Sequence, residues 1–184
     1  MHTYHVFISG FLQRVSATNG IVRLALRKKA SVDPATDTVD YYSHRFDTLN
    51  YAQYISAHNG KKRVCVYAYS YGCHAARKLA WDLEEVGLRA NIMVLCDPVA
   101  KYHYGYTMAP RCLRKIIGPM PLIGRPKLRY PSSVGTIYLF EQDIAPPWSS
   151  RVFHGKHRVP PTPLPYPHTA MDNSDEFADL VLSI

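Results

Sequence analysis

Residues 66–80 read VYAYSYGCHAARKLA, and the spacing of apolar residues changes inside this stretch. Residues 63–69 are rich in β-branched and aromatic side chains, as a buried strand requires. From Cys73 onward the apolar positions are Cys73, Ala76, Ala80, Leu83 and Val86, the spacing of one helix face. Arg77, Lys78, Asp82, Glu84 and Glu85 fall on the other face, and Gly87 ends the helix. Ser70 sits at the changeover, with Ala68 two residues before it and Gly72 two residues after. A serine on so tight a strand-to-helix turn needs small neighbours at both places, because larger side chains collide with adjacent backbone. The helix start also brings a positive dipole end close to the serine oxygen. These features predict a nucleophilic Ser70.

Working outward, the chain alternates strands and helices. A strand over 4–9 ends in Gly10, and a helix over 17–30 closes on basic residues that suit its dipole. A second strand covers 39–46, then a helix over 48–58 opens on Asp47 and stops at Asn59-Gly60. Beyond the Ser70 helix, a strand over 90–96 runs into Asp97-Pro98, and one over 135–140 runs into Glu141-Gln142-Asp143. A weaker sixth strand falls within 151–159, and 160–167 (PPTPLPYP) reads as a stiff approach to His168. The last helix, 174–184, has Phe177, Leu180, Val181 and Ile184 on one side, with Asn173 and Glu176 at cap-compatible positions. Such alternation predicts an α/β fold, a mainly parallel sheet with helices on both faces. Ligands of such sheets gather at the carboxyl ends of the strands, where Ser70, Asp97 and Asp143 all fall.

At 184 residues the chain suits a single domain over 1–184. Residues 101–134 break the alternation with tyrosines, methionines, prolines and basic residues, and read as a lid-like insertion. Hydrophobic residues at 47% and charged residues at 20% describe a globular protein rather than a disordered one. No apolar run is long enough to span a bilayer, and the start lacks the pattern of a signal peptide. Cys65, Cys73, Cys96 and Cys112 follow no C-x-x-C spacing. They predict a reducing, cytoplasmic setting without a structural metal. The net charge of +8 comes from clusters at 27–29, 61–63 and 111–129. No nucleic-acid-binding motif accompanies it, so it reads as a solvated basic surface able to favour an anionic substrate.

A serine nucleophile needs a base. Of nine histidines, His168 follows the last strand region and precedes the final helix, giving the chain order Ser, Asp, His. The acid that orients it is drawn from Asp97, Asp143 or Glu141, each at the end of a strand after the serine. Two backbone N–H groups would form an oxyanion hole: that of Tyr71, after the nucleophile, and that of Phe11, in the loop after the first strand.

With these residues in place, the chain resembles the α/β-hydrolase superfamily, most closely its small lipase, esterase and thioesterase members. The resemblance rests on Ile8-Ser9-Gly10-Phe11, on Ala68-Tyr69-Ser70-Tyr71-Gly72 and on Pro167-His168-Thr169-Ala170-Met171-Asp172. Leu95-Cys96-Asp97-Pro98 is similar to the acid loop of members that carry the acid one strand early, which favours Asp97; the commoner arrangement favours Asp143. Alanine stands for the first glycine of the serine motif and serine for the usual histidine of the oxyanion loop, and the chain is short for the superfamily. The resemblance implies a minimal α/β-hydrolase fold and a serine hydrolase of carboxylic esters or thioesters, working through an acyl-enzyme without cofactor or metal. The substrate would be a small or lipid-like acyl ester. An acyltransferase with the same residues, or a non-catalytic binding protein for anionic polymer or lipid, are the alternatives.

Overall fold

The computed structural model describes residues 1–10, 19–99, 127–144 and 149–184. Strand β1 (His2–Ser9) is buried along most of its length. It sends Tyr4, Val6 and Ile8 into one apolar layer and Phe7 into another. Helix α1 (Gly20–Ser31) follows, its first turn capped by Asn19, whose side chain accepts from the Ile21 N–H at 3.0 Å. Strand β2 (Asp37–Ser43) leads to α2 (Thr48–Ala57), capped by Asp47 as the sequence suggests. Strand β3 (Lys62–Tyr69) repeats the two-sided pattern of β1, with Val64, Val66 and Ala68 on one face and Cys65, Tyr67 and Tyr69 on the other. Helix α3 (Gly72–Glu85) then leads to β4 (Ile92–Cys96). Strands buried on both faces belong to a parallel sheet covered by helices.

After β4 come β5 (Lys127–Tyr130), β6 (Thr136–Gln142), β7 (Arg151–His154), β8 (His157–Arg158) and β9 (Thr162–Leu164). Among the described residues the main sheet has six strands in the order β2-β1-β3-β4-β6-β9. Every pairing in it is parallel. α1 and the last helix, α4 (Asp175–Ser183), contribute Ile21, Leu24, Phe177 and Val181 to one apolar layer; α2 and α3 contribute Ile55, Leu79 and Leu83 to the other. The predicted α/β fold, a mainly parallel sheet with helices on both faces, is what the chain adopts. Strand order reverses between β1 and β3, so their carboxyl ends flank the crevice where such sheets take ligands.

Three expectations change. The stretch within 151–159 does not join the main sheet; it forms the antiparallel pair β7–β8, which with β5 makes a separate three-stranded sheet. The sixth main-sheet strand is instead β9, inside the proline-rich 160–167, where an edge position tolerates Pro163. The cap of α4 is Ser174, which accepts from Phe177 N–H at 3.4 Å, because a 3-10 helix (His168–Asn173) occupies the residues before it. Of the predicted insertion over 101–134, residues 127–134 are described, with Lys127, Arg129 and Ser132 exposed. Leu128, Tyr130 and Val134 pack in the α3-side layer, and the Tyr130 O–H donates to the Cys73 carbonyl at 2.7 Å. The rest of that insertion, Cys112 included, lies outside the described residues. Cys65, Cys73 and Cys96 are buried free thiols, and among the described residues no helix is long and apolar enough to cross a membrane.

Candidate active site

β3 delivers Ser70 to the mouth of the crevice, and the backbone there turns sharply. Ser70 has φ of 56°, and among the described non-glycine residues only Asp97, at 45°, shares a positive value. Hydrogen bonds from both sides hold the turn. The Ser70 N–H donates to the Cys96 carbonyl at 2.9 Å, and the Ser70 carbonyl accepts from Cys73 at 3.1 Å and from Val99 at 3.3 Å. The demand for small neighbours is visible at two glycines. A Cβ on Gly72 would stand 2.5 Å from the Ile8 carbonyl oxygen, and one on Gly10 would stand 2.9 Å from the Ser70 Cβ. Ala68, fully buried beneath the turn, shows that the first of the two places admits a methyl group.

His168 reaches Ser70 from the far edge of the sheet. β9 runs parallel to β6, and the first residue of the 3-10 helix after it places the imidazole against the serine. Ser70 Oγ and His168 Nε2 lie 2.8 Å apart. His168 Nδ1 lies 2.6 Å from Asp97 Oδ2, and Asp97 is fully buried. With Nδ1 protonated and donating to the carboxylate, Nε2 is an acceptor facing the serine hydroxyl. The structure therefore brings Ser70, His168 and Asp97 into one hydrogen-bonded line. It does not bring Asp143 there: that residue is exposed, and its backbone N–H donates to the Leu164 carbonyl at 3.0 Å. Glu141 is buried, one register position from Phe140 and paired with Pro163 of β9.

Two further residues hold the line, and neither was singled out from sequence. Gln142, at the end of β6, donates from Nε2 to Asp97 Oδ2 at 2.6 Å, and its Oε1 accepts the His168 backbone N–H at 3.1 Å. Tyr69 donates its O–H to the His168 carbonyl, and its ring stacks on the imidazole with centroids 5.1 Å apart. Burial, with the negative Asp172 nearby, pushes the Tyr69 phenol well above its ordinary pKa, so it stays a donor. The available signal was position: Tyr69 immediately precedes the serine, and Gln142 ends the strand lying between those that carry Asp97 and His168.

Tyr71, the first residue after Ser70, stands at the N-terminal cap of α3, where helix N–H groups point outward. Its ring meets His44 edge-on at 5.0 Å and stacks on His74 at 5.6 Å. His44 precedes the serine in the chain, and the end of β2 carries it here. Burial lowers its pKa, against a hydrogen bond to the Gly10 backbone that works the other way. Phe11, the other predicted oxyanion donor, lies outside the described residues.

No family model matches the chain, and no curated protein matches it. Among solved structures, the RedJ thioesterase from the prodiginine biosynthetic pathway in Streptomyces coelicolor overlays with a TM-score of 0.47 at 13% identity. That overlay covers 98% of this chain and 84% of the thioesterase.

Proposed function

We propose that this protein is a serine hydrolase of the α/β-hydrolase type that cleaves a carboxylic ester or thioester. The observation that carries the reading is the line from Ser70 Oγ through His168 to buried Asp97, with separations of 2.8 and 2.6 Å. Ser70 Oγ attacks the substrate carbonyl while His168 Nε2 takes its proton, and Asp97 stabilises the imidazolium that forms. The carbonyl oxygen becomes an oxyanion, received by the backbone N–H groups of Tyr71 and Phe11. Collapse of this intermediate breaks the bond to the leaving alcohol or thiol, which departs with the proton from His168. Water, deprotonated by the same imidazole, then releases the acid and restores Ser70.

The geometry supports each role separately. A serine with positive φ at a strand-to-helix turn has the backbone of a nucleophile elbow, and its hydroxyl faces His168. Full burial of Asp97 keeps the partner of Nδ1 away from water, where the pair is strongest. A fluorophosphonate probe tests the reading directly: it labels the wild-type protein and leaves Ser70→Ala unlabelled. Absence of labelling on folded wild type would overturn it. A panel of p-nitrophenyl esters from acetate to palmitate, with matched thioesters, then ranks acyl chain length and leaving group.

A further inference from the structure

We infer that Gln142 is a positioning residue that fixes the geometry of His168 against Asp97; its effect on turnover rests on the reading above, its effect on His168 does not. The need for such a residue comes from the sheet order. Asp97 follows β4 and His168 follows β9, and β6 lies between those strands. Their side chains therefore meet across the end of β6, and Gln142 is the last residue of that strand. Its amide touches both partners at once, Nε2 on Asp97 Oδ2 at 2.6 Å and Oε1 on the His168 N–H at 3.1 Å.

Only one orientation of the amide satisfies both contacts. The carboxylate accepts and the backbone N–H donates, so the amide nitrogen must face Asp97 and its oxygen must face His168. A glutamine is the neutral side chain that offers both groups at this reach. Asp97 Oδ2 thus receives two donors, His168 Nδ1 and Gln142 Nε2, while Oδ1 is buried and has no hydrogen-bond partner among the described residues. Both of these donors converge on one oxygen, and together they set the torsion of the carboxylate. Removing Gln142 frees Asp97 to rotate, and it frees the main chain that carries the imidazole.

Two substitutions separate positioning from bulk support. Gln142→Met keeps length and removes both hydrogen bonds; kcat falls about tenfold while KM stays within twofold, the pattern of an interaction used in the transition state. Gln142→Glu keeps an acceptor for the His168 N–H but sets a second carboxylate against Asp97. The added negative charge favours the imidazolium, so the His168 titration, followed by NMR of ring-labelled histidine, moves to higher pH. The acid limb of the kcat/KM profile moves the same way. A merely structural glutamine lowers the melting temperature in Gln142→Met and leaves kcat in place.

The NMR titration does not depend on turnover, so the two readings fail separately. A His168 titration unchanged in Gln142→Glu overturns the role of Gln142, whatever the activity. A shifted titration in a protein that no fluorophosphonate labels overturns the hydrolase reading and leaves the coupling of Gln142 to His168 standing. Should Gln142→Met fail to fold, Gln142→Glu carries the test alone.

Discussion

Ser70 and Asp97 share a backbone conformation that L-residues seldom hold, with φ of 56° and 45°. Each costs on the order of 1–3 kcal/mol and persists because its surroundings leave no alternative. Asp97 is fixed by its own N–H, which donates to the Phe140 carbonyl at 2.7 Å. Asp97, Glu141 and Asp143 all stand at strand ends, and residue order alone does not rank them by distance, since strand register decides which one meets His168. β6 pairs Phe140 with Cys96 of β4, which leaves Asp97 level with the gap and Asp143 beyond it, exposed. Asp97→Asn is therefore expected to lower kcat by about 10^4-fold, as for the orienting acid of such a series, while Asp143→Asn stays within about twofold; p-nitrophenyl ester kinetics check both. Gly72 makes a separate prediction. A methyl group there meets main chain at 2.5 Å rather than a yielding side chain, so Gly72→Ala destabilises by about 1–3 kcal/mol, read as a lower urea midpoint.

Elements were legible where hydrophobic spacing alone decides them, as in β1, β3, α3 and β4. Partners were not. Asp82 falls on the polar side of α3, but α2 lies alongside that helix, and only 9% of Asp82 is exposed. The Thr48 O–H donates to its carboxylate, and Lys78 Nζ reaches Thr48 at 2.7 Å and Asp82 at 3.0 Å. The first turn of α2 is thereby clasped to the last turns of α3. Asp82→Ala leaves the Thr48 hydroxyl buried without its acceptor and costs about 1–3 kcal/mol, measured by thermal unfolding. Lys78→Ala costs less than about 1 kcal/mol, because its side chain is 60% exposed and screened by water. Neither substitution touches the crevice, so fluorophosphonate labelling of the folded protein proceeds at the wild-type rate. β9 escaped sequence reading for a different reason: two of its flanking residues and its middle residue are prolines, which argue against a ladder unless the strand lies at an edge.

For the whole molecule, the buried imidazole of His5 couples folding to acidity. His5 is 1% exposed, with Nδ1 2.9 Å from the Tyr67 hydroxyl and Nε2 3.2 Å from Asp37. Burial drives its pKa from 6.5 down to about 4, against the opposing pull of the Asp37 hydrogen bond. Above pH 6.5 the imidazole is neutral whether folded or not, and it has no pH-dependent effect. Between 6.5 and 4 the unfolded chain takes up a proton that the folded chain refuses, so stability falls over that window. The loss reaches about 3 kcal/mol at most, from about 1.4 kcal/mol per unit of pKa. An NMR titration of His5 with a midpoint near 4 is the expected result; a midpoint near 6.5 would contradict it.

Among the described residues β9 and β2 border the main sheet, and they also decide what the molecule does in a crowd. Leu164 turns its carbonyl inward to Asp143, so by the two-residue period of a strand Pro163 turns its main chain outward. There it offers no N–H, and β9 is only three residues long. A stray strand from another chain finds little to zip onto at this border. At the opposite border β2 carries Asp37 and Asp40, charges that a second chain would have to bury. Pro163→Val restores the missing donor and is expected to leave ester turnover intact while hastening aggregation on warming, followed by light scattering. A residue that looks like an interruption of the last strand thus serves to keep the sheet closed to strangers.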